Sequence, residues 1–145
     1  MDQELKDEKK QNIGKLSEKS YNFAVRIVNA YKYLTQEQKE FILSKQLLRS
    51  GTSIAANCRE ATYAQSYGDF INKLSISLKE ANETAYWIEL LHDTDYISPN
   101  AYNSIHTECV ELIKLLTAII KTSKLLIVDL YPLEISILLM EIILK

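Results

Sequence analysis

Apolar residues return at steps of three and four along most of the chain, the spacing of one buried stripe on a helix. Leu16, Phe23, Ile27, Val28, Tyr31 and Leu34 mark a first helix over about 14–34. Thr35 followed by Gln38 has the capping-box pattern, which predicts that a second helix starts there and runs to about 65. Its inner face carries Phe41, Leu47, Leu48, Ile54, Ala55, Cys58 and Ala61. Gly68 suits a helix end and Asp69 an N-cap, so a third helix is expected over about 69–94. Phe70, Leu74, Leu78, Ala81, Ala85, Ile88 and Leu91 keep phase along it. Ser98-Pro99 is the clearest start signal, with Ser as N-cap and Pro at the first helical position. The fourth helix then covers about 99–123, with Tyr102, Ile105, Cys109, Leu112, Leu116, Ile119 and Ile120 inward.

Connections of a few residues between long helices make neighbours antiparallel. The expected fold is therefore all-α, an up-down-up-down four-helix bundle over residues 13–124. Residues 1–12 are charged and are expected to form a flexible leading segment. One stretch of the second helix conflicts with local propensity: Arg49-Ser50-Gly51-Thr52-Ser53-Ile54-Ala55-Ala56. Gly in a helix interior costs about 1 kcal/mol relative to Ala. The apolar spacing continues in phase across it, so the helix is expected to run through Gly51, where small side chains admit another backbone. The competing reading is a kink or break at Gly51.

Residues 125–145 differ from the rest. Fifteen of these 21 residues are hydrophobic, but Asp129, Pro132, Glu134 and Glu141 interrupt the run. That makes a poor membrane span. Pro132 can open a short fifth helix ending at Lys145, or Leu125–Tyr131, rich in branched residues, can be extended. So much apolar surface in a C-terminal extension calls for burial: it can fold back, pack on another copy, or stay disordered and sticky.

Composition narrows the fold further. The chain of 145 residues holds 3 Gly and 2 Pro, too few for a turn-rich β sandwich. Gly14, Gly51 and Gly68 lie too far apart for a phosphate-binding glycine loop. The net charge is −2, which gives no electrostatic case for a dedicated nucleic-acid binder. The charge is uneven: residues 1–60 carry 11 basic and 8 acidic side chains, whereas residues 61–145 carry 6 and 11. A positive end can meet phosphates, or the acidic end of a neighbouring copy. The opening residues are nearly all polar and Cys58 and Cys109 sit among apolar positions, so the expected compartment is the cytoplasm and the thiols are read as core residues.

Candidate chemistry is sparse. Glu89 and His92 form an E-x-x-H pair, but His106 has Asn103 three positions before it, so the second motif of a di-iron bundle is missing. His106 and Cys109 share a face, yet two ligands do not make a structural zinc site. Glu80 and Glu83 can in principle do acid–base work, although neighbouring glutamates are common on helices. No metal, cofactor or small-molecule substrate is expected.

One polar set has matched spacing. Arg49, Ser53, Asn57 and Glu60 line one face of the second helix; Glu80, Glu83 and Trp87 line one face of the third. If the faces meet, Arg49 can bind a carboxylate with its forked donors and Asn57 can serve a second acceptor. The set is then a polar layer, within the bundle or between subunits, that fixes helix register. Otherwise it is a solvated stripe.

Two segments carry a resemblance. Gln46–Ala61, with its R-S-G-T-S-I-x-x-N-x-x-E-A pattern, and Phe70–Leu91, with K-E-A-N-E-T-x-Y-W, resemble the bacterial four-helix-bundle family named for reading frames in intervening sequences of 23S ribosomal RNA genes. The similarity covers roughly residues 12–123. It implies an antiparallel bundle assembling into ring-like homo-oligomers, with pentamers expected. The chain is also similar to the accessory protein of diversity-generating retroelements, a pentameric bundle that engages nucleic acid. Those relatives are strongly basic, and this chain at −2 is not. The resulting expectation is a non-enzymatic, self-associating helical protein whose role is scaffolding or weak association with RNA or other nucleic acid. Lys32, Lys39, Lys45 and Arg59 are the candidate contacts. The alternative is a metal- or carboxylate-dependent enzyme in the bundle core, and a third reading has residues 125–145 on a lipid surface.

Overall fold

A computed structural model describes the backbone of residues 2–130 and 132–144, with side chains apart from 2, 128–130, 132–136 and 139. Five helices follow in order: α1 (Asp2–Gln36), α2 (Leu43–Thr62), α3 (Tyr67–Asp93), α4 (Pro99–Leu130) and α5 (Pro132–Leu144). Among the described residues there is no strand. Helix α1 packs on α2, α2 on α3, α3 on α4 and α4 back on α1, the closed cycle of an up-down-up-down bundle. Leu16, Phe23, Ile27, Leu34, Leu47, Ile54, Leu74, Ile88, Leu91, Leu112, Leu116 and Ile119 are almost wholly enclosed and form one core. These are the residues whose three- and four-residue spacing predicts the helices.

Several boundaries differ from expectation. Helix α1 begins at Asp2, so residues 2–12 are helical where the first helix is expected only from about 14. Lys9 ties this extension to the bundle: its ammonium donates to the Tyr67 hydroxyl at 2.8 Å and lies 4.3 and 4.6 Å from the centroids of the Tyr67 and Phe70 rings. Thr35 caps nothing. It sits in the last turn of α1 and its Oγ1 donates to the carbonyls of Tyr31 and Lys32 at 2.9 and 3.2 Å. The second helix begins instead at Leu43, and Phe41, expected inward, is exposed.

The cap of α2 is Glu40, which sequence reasoning missed. Lys39 has φ 54°, a left-handed turn rare for a residue with a side chain. Beyond it the Glu40 carboxylate accepts from the backbone N–H groups of Ile42, Leu43 and Ser44 at 2.9, 2.8 and 2.6 Å. The Ser44 hydroxyl donates back to the Glu40 carbonyl at 2.9 Å. Three of the four unpaired donors of a helix N-terminus are thereby satisfied by one charged group. Glu40 is only 7% exposed. Burial disfavours its charge, but the bonds from Leu43, Ser44 and Ile42 outweigh that and hold the carboxyl below its usual range.

Helix α3 starts two residues earlier than expected. Ser66 is the N-cap, accepting from Asp69 N–H at 3.0 Å, and Gly68 lies inside the first turn. Ser98 caps α4 by accepting from Ala101 N–H at 3.2 Å, with Pro99 as the first helical residue. Helix α4 continues past 124 to Leu130, so 125–130 are helical and the extended alternative is overturned there; Tyr131 lies outside the described residues. Pro132 opens α5, which touches only α4 among the described residues.

Helix α2 runs through Gly51 without a break. A Cβ placed on Gly51 would lie 2.7 Å from both Cγ1 and Cγ2 of Ile27. Ile27 is fully enclosed, so it has no free space to yield. The glycine therefore sets how closely α1 approaches α2.

Candidate functional site

Arg49 stands half-exposed on α2, opposite two carboxylates of α3. Its Nη1 lies 3.3 Å from both carboxylate oxygens of Glu80, and its Nη2 donates to Oε1 of Glu83. The Trp87 indole N–H donates to the same Glu83 oxygen at 3.1 Å. Glu83 is thus an acceptor shared by a guanidinium and an indole. The Arg49 bond first, then the Trp87 bond, lower its pKa against the opposing effect of burial. The Arg49 pKa is raised in turn, chiefly by the bond to Glu83.

A neutral pair lies beneath this cluster. Thr84 Oγ1 sits 3.0 Å from Ser50 Oγ and donates to the Glu80 carbonyl at 2.7 Å. Both side chains are fully buried. Ser77, also buried, donates to the Ile54 carbonyl at 2.9 Å, and Cys58 Sγ lies 3.2 Å from its hydroxyl. Small polar residues thus carry hydrogen bonds between α2 and α3 through the region around Gly51.

The other residues of the two matched faces do not join the layer. Ser53 Oγ donates to the Arg49 carbonyl at 2.6 Å, and Asn57 Nδ2 to the Ser53 carbonyl at 2.8 Å. Asn57 therefore serves its own helix and no α3 carboxylate, which corrects the expected second acceptor. Glu60 pairs separately with Lys73 at 3.1 Å. The Lys73 partner was not singled out from the sequence, although it lies on the α3 face opposite Glu60.

The candidate nucleic-acid contacts divide by position. Lys32 near the end of α1, Lys39 in the α1–α2 connection and Lys45 in the first turn of α2 are exposed at one end of the bundle. Arg59, also exposed, is in the last turn of α2, about 21 Å farther along a helix rising 1.5 Å per residue. The four do not form one patch.

The sulfur and imidazole groups are spoken for. Cys109 is fully buried and its thiol donates to the Ala81 carbonyl at 3.3 Å. Burial, with a smaller push from the Glu89 charge, drives its pKa up to about 12. Burial likewise raises the Cys58 thiol. His92 stacks on Tyr102 at 4.2 Å between centroids, and Tyr102 on His106 at 4.9 Å, along the α3–α4 seam. Glu89 lies 3.6 Å from His106 Nε2. Among the described residues no group of three or more His, Cys, Asp or Glu side chains is placed to hold a metal ion. Nor is any helix among them long and apolar enough to cross a membrane.

On the outer side of α1 and α2 lies a groove of about 420 Å³, lined by Ser17, Tyr21, Ala24, Thr52, Ala55 and Ala56 among others. Tyr21 and Val25 are exposed beside it. This face joins small residues to exposed apolar ones, as surfaces that pack against another helix do.

An antiparallel four-helix bundle with a carboxylate-clamped arginine between its second and third helices is the class of protein defined here. The model of the 23S rRNA-intervening sequence protein family matches residues 14–118, and the chain belongs to that family. It is similar to a crystal structure of a protein with unknown function from the S23 ribosomal protein family of Bacteroides thetaiotaomicron VPI-5482. The two are 61% identical with a TM-score of 0.75, covering 76% of this chain and 98% of that one. No curated protein matches. The family match ends at 118, before the last turns of α4 and all of α5.

Proposed function

We propose that the protein is a non-enzymatic, self-associating helical bundle that acts as a cytoplasmic scaffold, with five copies in a ring. The observation that carries this reading is the outer α1–α2 face, where Tyr21 and Val25 stand exposed and Ala24, Ala55 and Ala56 are among the residues lining a groove. Exposed apolar side chains beside small residues let a neighbouring helix come close, and closed symmetric assemblies are the common outcome. Ring assembly by five is what the family resemblance implies. The Arg49–Glu80–Glu83–Trp87 layer serves this role by fixing the register of α2 against α3, which keeps the outer face in one shape. The test is Tyr21→Glu with Val25→Glu. Both positions are exposed, so the fold is expected to survive while the assembly falls to smaller species. An unchanged mass would place the contact elsewhere.

A second reading, weak association with structured RNA, is favoured by one observation. Lys32, Lys39 and Lys45 are exposed around a single helix connection. Phosphate contacts of that kind give affinity that falls steeply with salt.

A further inference from the structure

Helix α5 is apolar on nearly every side. Ile137, Leu138, Met140, Ile142, Ile143 and Leu144 are 56–79% exposed. Together they present on the order of 600 Å², the upper end of the ~300–600 Å² of the largest patch on a typical monomer. That approaches the ~800 Å² each partner buries in a standard interface. Within its own chain α5 touches only α4 among the described residues. Its sequence, PLEISILLMEIIL, includes two charged residues, Glu134 and Glu141. Seven residues is two helical turns, so both positions fall on one face of the helix.

A complementary surface exists on the same molecule. Lys6, Lys9, Lys10, Ile13, Tyr67 and Leu126 enclose a groove of about 300 Å³ between the leading turns of α1, the start of α3 and the last turns of α4. Ile13 and the buried Leu126 line it together with three lysines, of which Lys9 has its ammonium on Tyr67 while Lys6 and Lys10 are exposed. An apolar helix whose charged positions are both acidic suits an apolar groove edged by lysines. A lipid surface fits less well, because helices that lie on membranes carry Lys and Arg on the polar face.

We infer that α5 of one copy docks in the Lys6–Lys9–Lys10 groove of a second copy, with the helix face that carries positions 134 and 141 turned to the lysines. The inference rests on the self-association reading and assigns it a specific contact. Helix and groove are different patches, so the contact is head-to-tail, and such contacts close into rings when the rotation between copies allows.

The test is a reciprocal charge exchange in the full chain, followed by light scattering over a range of concentrations. K6E/K10E alters two exposed lysines and leaves the Lys9–Tyr67 bond in place. E134K/E141K alters α5. Each variant alone is expected to associate roughly tenfold or more weakly than the unaltered chain. The chain carrying all four changes, K6E/K10E/E134K/E141K, is expected to recover association. Unaltered assembly in both variants, or no recovery in the chain with all four changes, overturns the docking and leaves self-association through α1–α2 standing. A monomeric unaltered chain sinks the broader reading as well. Binding of the unaltered chain to phosphatidylcholine vesicles, lost in I142E/I143E, would assign α5 to lipid and overturn the proposal.

Discussion

Gly51 on α2 faces Ile27 on α1 so closely that a single added methyl would lie 2.7 Å from two carbons of the isoleucine. In an open helix, Gly→Ala stabilises by about 1 kcal/mol. At this position overpacking costs about 1–3 kcal/mol, because the enclosed Ile27 must shift. Gly51→Ala is therefore expected to lower stability, read as a lower urea midpoint. Gly51→Ala combined with Ile27→Val should lose less than the sum of the two single changes, since the clash and the vacated space compensate. A stabilised single variant would show that α1 and α2 are not in close contact there.

Arg49→Ala should destabilise by ~1–2 kcal/mol. Its half-exposed position screens it, but two carboxylates share its charge and Glu83 loses its main partner. For a chain of this size that is a fall of about 2–8 °C in Tm. Trp87, the one tryptophan in the sequence, reports on the layer directly. Its emission should move when Glu83 is freed to rotate. Unchanged Tm, assembly mass and emission would reduce the layer to a solvated stripe.

Glu40 gives the molecule an acid limit. Its folded pKa is lowered, so its contribution is fully present above the unfolded carboxyl range near 4.3 and fades as pH falls through the folded value. Glu40→Gln should therefore flatten part of the loss of stability below about pH 5. Glu40→Ala should cost ~1–2 kcal/mol at neutral pH through the lost cap. The measurement is denaturant unfolding from pH 3 to 7. Parallel curves for the unaltered chain and Glu40→Gln would contradict the capping role.

Cys109 should resist thiol reagents at neutral pH, because burial and a pKa near 12 leave almost no thiolate. Modification by a disulfide reagent is expected only as fast as the protein opens, rising with urea. Prompt reaction in native buffer would mean that the α3–α4 seam is loose.

RNA association, if it uses the end of the bundle formed by the α1–α2 connection, should weaken on Lys32→Ala, Lys39→Ala and Lys45→Ala together. Its dependence on salt should shrink in the same variant. Arg59→Ala should matter little, since that residue sits at the far end of α2. Equal loss from Arg59→Ala would require a longer binding surface.

Much of the bundle was legible in the sequence because the signal is a period. Phe23, Ile27, Leu47, Ile54, Leu74, Ile88, Leu112 and Leu116 recur in phase and are buried. Ser98-Pro99 was legible because both its cues are local. The Thr35 cap misled because the motif is common, and Thr35 lies in the last turn of α1. Glu40 was hidden because its role depends on the left-handed turn at Lys39, which no spacing announces. The length of α1 was missed because charged residues dominate its first three turns, and the contact holding them, Lys9 on Tyr67, spans 58 positions. In the polar layer, Arg49 and the two glutamates were reachable from helical spacing. The fate of Asn57 was not, because a side chain that can bond its own helix competes with any partner across the interface.

Self-association is the claim on which the functional account stands, and solution mass tests it most directly. Light scattering on the intact chain at micromolar concentration should give a mass near five times the 16.7 kDa chain, about 80 kDa, in keeping with a closed cyclic assembly. A species of 16.7 kDa across the same concentrations would contradict it.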